Sequence, residues 1–476
     1  MAENTKANLA TELWFLREEK ELLQKGAVKT SVRVGDRTSI TTDPKGGYKI
    51  GSFVTLKIQK GVTPHVFDDW ETKIVITDMH LKRLSDIKDA DLSESLPGQQ
   101  SQKELKEKLS RFYGREIKED ELMTIINFEL ADNLKSAEDL VKAKILQLAE
   151  QPKDNTAEFS AEHLTVPLIE HDYPAMTPAM WNAAYKAFEL NDRNIMLVGD
   201  PRGCEEILKI FRRDPKFIGG GMGVGFKDEA VKFVDELDSL AKAIGSINFV
   251  RKTSDNKLIG YNTDGLGYAL SLENTFRKNG KQLTGQKAVI LGAGGTGNAV
   301  AFALAQKGMR LFIFNRTVEK AETLSERING YLKLTGDAKV RFGGEDKIAS
   351  DISNADVVIN VSTKGAAGEM QNYNALASAK LPATPENVNE NEKEAEQIIK
   401  LIPRQAILSD ILLTKEPTPF MRLAQTRGFQ TLDGLPMVVN QGVEAFWLLY
   451  EKILKEKGIN KQDVTKIMSK AAGIKI

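Results

Sequence analysis

The chain has a single cysteine, Cys204, among 476 residues. Neither a disulfide framework nor a thiolate metal site can form within it, and Cys204 reads as a small buried residue. Histidine is also scarce: His65, His80, His163 and His171 are the four, and all precede residue 172. No HExxH, EF-hand or Cys/His cluster occurs, so no ligand set for a metal is visible. Net charge is absent too, because 66 basic residues balance 66 acidic ones. Nothing global therefore favours nucleic acid or a membrane as the main partner. No run of about 18 apolar residues occurs, and the opening MAENTKANLATELWFLREEK lacks a basic-then-apolar signal pattern, so a soluble cytoplasmic protein is expected. The length points to two or three domains.

What is present is clearest in residues 287–317, KAVILGAGGTGNAVAFALAQKGMRLFIFNRT. An apolar run breaks into a glycine-rich turn, an alanine-rich helix and a second apolar run. Gly292 turns the chain off the strand, Gly294 beside Gly295 lets backbone approach a pyrophosphate, and Gly297 lets the helix pack on the sheet. The free amides at the helix start favour phosphate. After the second strand, NAD-binding units usually carry an acidic residue for the ribose hydroxyls. Here Asn315, Arg316 and Thr317 stand at that point, with Lys320 one turn on. A guanidinium there pairs with a 2′-phosphate, so NADP is expected rather than NAD.

Three blocks follow from the patterning. Residues 1–132 contain a short helix, strand-like SVRV, FVTLKI and KIVIT, a helix near 102–112 and a last strand MTIINFEL. Residues 133–163 read as a helical linker. Residues 164–265 alternate helix and strand, with one helix expected over EAVKFVDELDSLAKAI, which implies a mostly parallel sheet. Residues 266–435 form the dinucleotide unit, in which 371–396 looks like an inserted surface loop. The helices of 436–476 are expected to pack back on the 164–265 domain. The fold class is thus α/β: a Rossmann-type dinucleotide domain plus an α/β substrate domain, preceded by a small β-barrel-like α+β domain.

Five strings then stand in a familiar order: TPAMWNAAY, GFKDEAVKFVDELDSLAKAIGSINFV, LIGYNTDGLG, GAGGTGNAVAFALA with NRTVEKA, and DGLPMVVNQGVEAF. From about residue 166 onward the chain resembles the shikimate dehydrogenases, two-domain NADP enzymes that reduce 3-dehydroshikimate. The resemblance implies that Lys227 is the catalytic acid/base, that Asp264 is its carboxylate partner, and that Asn248 and Gln441 line the substrate cleft. Lys227 and Asp264 suffice to move a proton at the substrate oxygen while hydride moves at the nicotinamide. The implied partner is a small cyclic hydroxy acid; oligomeric state is left open.

Other positions depart from the family. Ala175, Met176, Thr177 and Pro178 stand where Ser-x-Ser-Pro holds the substrate carboxylate, leaving Thr177 as the surviving hydroxyl. Gly221, Met222 and Gly223 replace Asn-Val-Thr, and Gly225 replaces a proline. Leu413 aligns with a tyrosine and Trp181 with a histidine. Each bond lost to a charged group forfeits about 1.5–3 kcal/mol. Three readings stay open: a divergent shikimate dehydrogenase that uses backbone amides of the extra glycines, an oxidoreductase for a bulkier compound in a glycine-widened pocket, or a non-catalytic metabolite-sensing or RNA-binding regulator.

The strings KGAVKTSVRVG, YKIGSFVTLKI and LSRFYGREIKEDELMTIINFEL are similar to the ASCH domain, a small β-barrel related to RNA-binding PUA domains. Some ASCH proteins hydrolyse an acetylated cytidine with a lysine, a threonine and a glutamate. Aligned on Arg33, the lysine of that motif falls at Val28 and the threonine at Ser31, with Lys29 displaced by one. A nucleotide or RNA ligand would use Lys29, Arg33, Arg37 and Lys45.

Overall fold

The computed structural model describes residues 9–38, 46–62, 65–149, 159–172 and 175–474. The first block comprises β1 (Glu12–Leu16), α1 (Lys20–Gln24), β2 (Thr30–Val34), β3 (Phe53–Val62), β4 (His65–Arg83), α2 (Gln102–Tyr113) and β5 (Leu122–Leu130). Alternate residues feed one core: Leu13 and Phe15, Val54, Leu56 and Ile58, Ile74 and Ile76, Ile126 and Phe128. That period of two is why these segments are strands. The helix expected at the start is only Lys20–Gln24, and the strand before it pairs in parallel with β3. The sheet order is β1-β3-β4-β5-β2. Its two edges are bridged by a side chain: Arg33 of β2 donates to the Trp14 carbonyl at 2.7 Å and lies 5.5 Å over the Phe15 ring. The sheet is thus a curled half-barrel. α2, capped by Ser101 and Glu104, covers its other side with Leu105 and Leu109.

The second block holds α3 (Ala137–Lys142), β6 (Gln147–Leu148), β7 (His163–Thr165), β8 (Leu168–Ile169), α4 (Thr177–Ala187), β9 (Asp192–Asn194), β10 (Leu197–Val198), α5 (Cys204–Arg213), β11 (Phe217–Gly221), β12 (Glu236–Leu237), α6 (Ser239–Ile244), β13 (Phe249–Lys252) and β14 (Leu258–Tyr261). Its main sheet runs β12-β14-β13-β11-β7-β9, parallel except where β13 pairs with β11 and β14. The single helix expected over 229–244 is instead a 3-10 turn, strand β12 and α6. Asp238 explains the break, because its carboxylate accepts the Leu240 and Ala241 amides at 2.9 and 3.3 Å and so starts a helix where one was expected to continue. The linker helix α3 is part of this core: Ala137 and Leu140 pack with Val75, Ile207 and Phe211. Ala137 N also donates to Asp214 at 2.9 Å. Cys204 lies in the same core, where burial pushes its thiol up to about 12.

The third block contains α7 (Asp264–Lys278), β15 (Lys287–Leu291), α8 (Gly295–Gln306), β16 (Arg310–Phe314), α9 (Val318–Leu332), β17 (Arg341–Gly343), α10 (Ile348–Asp351), β18 (Val357–Asn360), α11 (Pro385–Ile398), β19 (Ile407–Asp410), α12 (Pro419–Thr426), β20 (Gln430–Leu432), α13 (Leu435–Glu456) and α14 (Lys461–Ala471). Its sheet is wholly parallel in the order β17-β16-β15-β18-β19-β20. That is the doubly wound order, with the strand sequence reversing between β15 and β18, where such sheets bind ligands. The second half of the surface loop expected at 371–396 is helix α11, which begins at Pro385. Thr384 caps it, and buried Asn391 donates to the carbonyls of Asn374, Ala377 and Ser378. Polar composition hid a helix whose inner face, Ala395 and Ile398, is apolar. Helices α13 and α14 pack on the second block, where Val443, Phe446 and Met468 meet Met180 and Trp181.

Candidate active site

Two close helix contacts bring the candidate residues together. A methyl on Gly265 would lie 2.1 Å from the Ala299 carbonyl oxygen, and one on Gly267 would lie 2.6 Å from Gln441 N. Only glycine lets α7 approach α8 and α13 so closely, and this sets Gln441 beside Asp264. Asp264 is the first residue of α7, a favourable place for a negative charge.

Lys227 Nζ donates to Asp264 Oδ2 at 2.5 Å, with the carboxylate 8% exposed and the lysine 25%. Asn248 is the hub. Its Nδ2 donates to Asp264 Oδ1 at 2.8 Å, Thr263 Oγ1 at 3.0 Å and Gln441 Oε1 at 3.2 Å, while its Oδ1 accepts Thr263 N at 2.8 Å. Thr263 was not singled out from the sequence, though it stands next to Asp264 in YNTDG; its hydroxyl also donates to the Gln441 carbonyl at 3.1 Å. Five residues from four separate stretches of the chain thus form one hydrogen-bonded cluster. No hydrogen bond among the described residues joins Thr177 to it. Thr177 instead opens α4, one turn from Met180 and Trp181, which lie about Gly442 beside Gln441.

The departures from the family pattern have physical reasons. A methyl on Gly223 would meet Ile169 Cγ2 at 2.6 Å, and Gly225 has φ +84 with Glu170 and Pro201 each 2.7 Å from such a methyl. These glycines admit close packing and a left-handed turn; they do not widen a pocket. The amides of Met222 and Gly223 donate to the Asn248 and Leu168 carbonyls at 2.8 Å each, so neither is left for a substrate carboxylate. Trp181 packs edge-on against Phe446, and Leu413 is exposed.

Beside this cluster lies the glycine turn. Gly292 has φ +121, and a methyl there would lie 2.9 Å from Ser362 N. On Gly297 it would lie 2.9 Å from Val361 Cγ2, whereas on Gly294 it meets nothing within 4 Å. Gly294 precedes α8, Gly295 begins it, and no side chain caps it, so its first-turn amides have no side-chain partner. Asn315 braces the turn: its Oδ1 accepts Ala293 N at 3.1 Å and its Nδ2 donates to the Thr317 carbonyl at 2.9 Å. Arg316 is exposed. Lys320 lines a cavity of about 270 Å³ with Ala293, Asn298 and Arg327. Asn298 Oδ1 and Ser246 Oγ are buried without a hydrogen-bond partner among the described residues. An uncapped helix start, an open glycine and cations one strand away fit the phosphates of a dinucleotide.

Fold and cluster together define an α/β oxidoreductase with a Rossmann-type dinucleotide domain and a substrate-binding domain, preceded by a β-rich block. The family model described as shikimate/quinate 5-dehydrogenase matches residues 274–398, and that of the shikimate dehydrogenase substrate binding domain matches residues 173–250. The shikimate dehydrogenase (NADP(+)) of Desulforamulus reducens is 31% identical over 283 residues, 59% of this chain and 86% of its own length. That of Methanococcus maripaludis strain S2 is 32% identical, over 58% and 87% respectively. A crystal structure of a shikimate dehydrogenase in complex with NADP+ covers 67% of this chain and 98% of its own, at 26% identity and TM-score 0.52. The chain belongs to the shikimate/quinate dehydrogenase family.

Proposed function

We propose that this protein is an NADP-dependent dehydrogenase of a cyclic hydroxy acid, with 3-dehydroshikimate and shikimate as the first pair to test. The observation that carries the proposal is the 2.5 Å pair of Lys227 and Asp264, held by Asn248 next to the uncapped start of α8. The named activity of the relatives supports it. Gly292, Gly294, Gly295 and Gly297 with the α8 amides would hold the pyrophosphate, and Arg316, Thr317 and Lys320 the 2′-phosphate, with Asn315 fixing the turn between them. Bound NADPH supplies the hydride. Lys227 gives its proton at the substrate carbonyl oxygen during reduction and takes one from the hydroxyl in the reverse direction. Asp264 holds the ammonium in place and accepts a substrate hydroxyl. Asn248 and Gln441 keep that carboxylate aimed and bind ring hydroxyls. With the Met222 and Gly223 amides engaged, Thr177 and the start of α4 are the groups assigned to the substrate carboxylate.

The test is NADP+ reduction followed by absorbance, with shikimate, with quinate and with NAD+ in parallel. Turnover with shikimate and NADP+ is the expected result. No turnover in protein that binds NADPH would favour the metabolite-sensing alternative.

For the first block, an ASCH-like assignment with a nucleotide or RNA ligand is a separate proposal, supported by the curled five-stranded sheet. Its cation cluster is largely engaged: Lys29 pairs with Glu129 at 2.8 Å, Arg33 bridges the sheet edges, and Arg37 is 9% exposed. Lys45 lies outside the described residues. Fluorescence anisotropy of the full chain with a short labelled RNA tests it; no binding would remove it.

A further inference from the structure

The turn between α6 and β13 reaches from the substrate half to the start of α8. A methyl on Gly295 would lie 3.6 Å from Asp228 Oδ1 and 3.8 Å from Ser246 Oγ. Ser246 is 1% exposed, and its hydroxyl has no hydrogen-bond partner among the described residues. Buried hydroxyls nearly always have one. Its position is fixed from several sides. Gly245, at φ 74, ends α6; Asn262 Nδ2 donates to the Ser246 carbonyl at 3.0 Å; and Arg327 of α9 donates to the Ala243 carbonyl. Asp228 is exposed and directly follows Lys227. Its carboxylate sits at the helix start, the place that favours an anion.

We infer that the substrate half contributes two opposed groups to dinucleotide binding: Ser246, which donates to the pyrophosphate, and Asp228, which competes with it for the α8 N-terminus. The inference rests on the dinucleotide reading of the glycine turn. A hydroxyl donating to a phosphate oxygen makes a charge-assisted bond, which gives the orphaned Ser246 Oγ its partner. A carboxylate beside the same amides repels the incoming phosphate. Attraction and repulsion then both come from the half of the protein that carries Lys227. Affinity for the dinucleotide is set on both sides of the cleft.

The experiment is calorimetric titration of the full chain with NADPH and with 2′-AMP, which carries the 2′-phosphate but neither phosphate of the pyrophosphate. Ser246→Ala is expected to weaken NADPH by about tenfold and leave 2′-AMP unchanged. Asp228→Asn, an exposed substitution that leaves the fold intact, is expected to tighten NADPH by roughly threefold or more. Unchanged NADPH affinity in Ser246→Ala, an equal loss for 2′-AMP, or no gain in Asp228→Asn would overturn the inference while leaving the dinucleotide reading standing. Wild-type protein that binds no NADPH would overturn both.

Discussion

Replacing Asn248 by alanine removes the hub of the site, and its cost can be worked from the bonds it makes. Thr263 N loses its acceptor, the Asn248 Oδ1 at 2.8 Å. Thr263 is 3% exposed, so water does not readily replace that partner, and an orphaned buried donor costs about 1–3 kcal/mol. Asp264 keeps Lys227 and Thr263 Oγ1 keeps the Gln441 carbonyl, so neither adds an orphan. Loss of the bond to the Asp264 carboxylate adds about 1 kcal/mol or more, giving a total of about 2–4 kcal/mol. Turnover should fall by about 10- to 100-fold, because the carboxylate that aims Lys227 loses one of its two anchors.

Asn248→Asp separates the two effects. It keeps the acceptor for Thr263 N but sets a second carboxylate 2.8 Å from Asp264 Oδ1, and two such groups cannot both ionise cheaply. One of the pair is held protonated, so its folded-state value is raised. The variant should then approach wild-type stability at acid pH and lose it as pH rises through that raised value. Urea denaturation against pH and steady-state turnover are the assays. An alanine variant within about 0.5 kcal/mol of wild type with full turnover would refute the hub, since surface-like substitutions stay in that range.

Three further outcomes are expected. Gly292→Ala forces a side chain at φ +121 and 2.9 Å from Ser362 N; it should cost about 1–3 kcal/mol in urea denaturation and weaken NADPH by at least about tenfold. Arg316→Ala should weaken NADPH by about tenfold and leave NADH unchanged in parallel fluorescence titrations, because only the former carries the 2′-phosphate. Lys364 is 4% exposed and pairs with Glu345 at 2.8 Å, and burial lowers its pKa from 10.5. The unfolded chain therefore holds that proton more tightly, so the lysine's contribution to stability rises with pH between the lowered folded value and 10.5. The urea midpoint of wild type relative to Lys364→Met should climb with alkaline pH; a flat difference would contradict the shift.

Much of this was legible in the chain itself. The glycine turn at Gly292 and the apolar runs on either side specify strand, helix and strand by local rules, and the structure follows them. Lys227, Asp264, Asn248 and Gln441 came from motif likeness, and their meeting depends on Gly265 and Gly267, whose packing partners no local pattern reveals. The segment 229–244 misled because its apolar spacing is helical, while pairing of Glu236 and Leu237 with Ile259 and Gly260 overrode that local preference. The glycines at 223 and 225 looked like lost side chains; tight packing and a left-handed turn account for them. Ser246 carried no signal, since an orphaned hydroxyl is visible only once its surroundings are known.

The most direct measurement of the central claim compares wild type with Lys227→Ala, scoring NADP+ reduction by shikimate and NADPH affinity on the same preparations. Turnover is expected to fall by about 10²-fold or more while NADPH affinity holds within about twofold. Undiminished turnover in the variant, or none in wild-type protein that binds NADPH, would contradict the account.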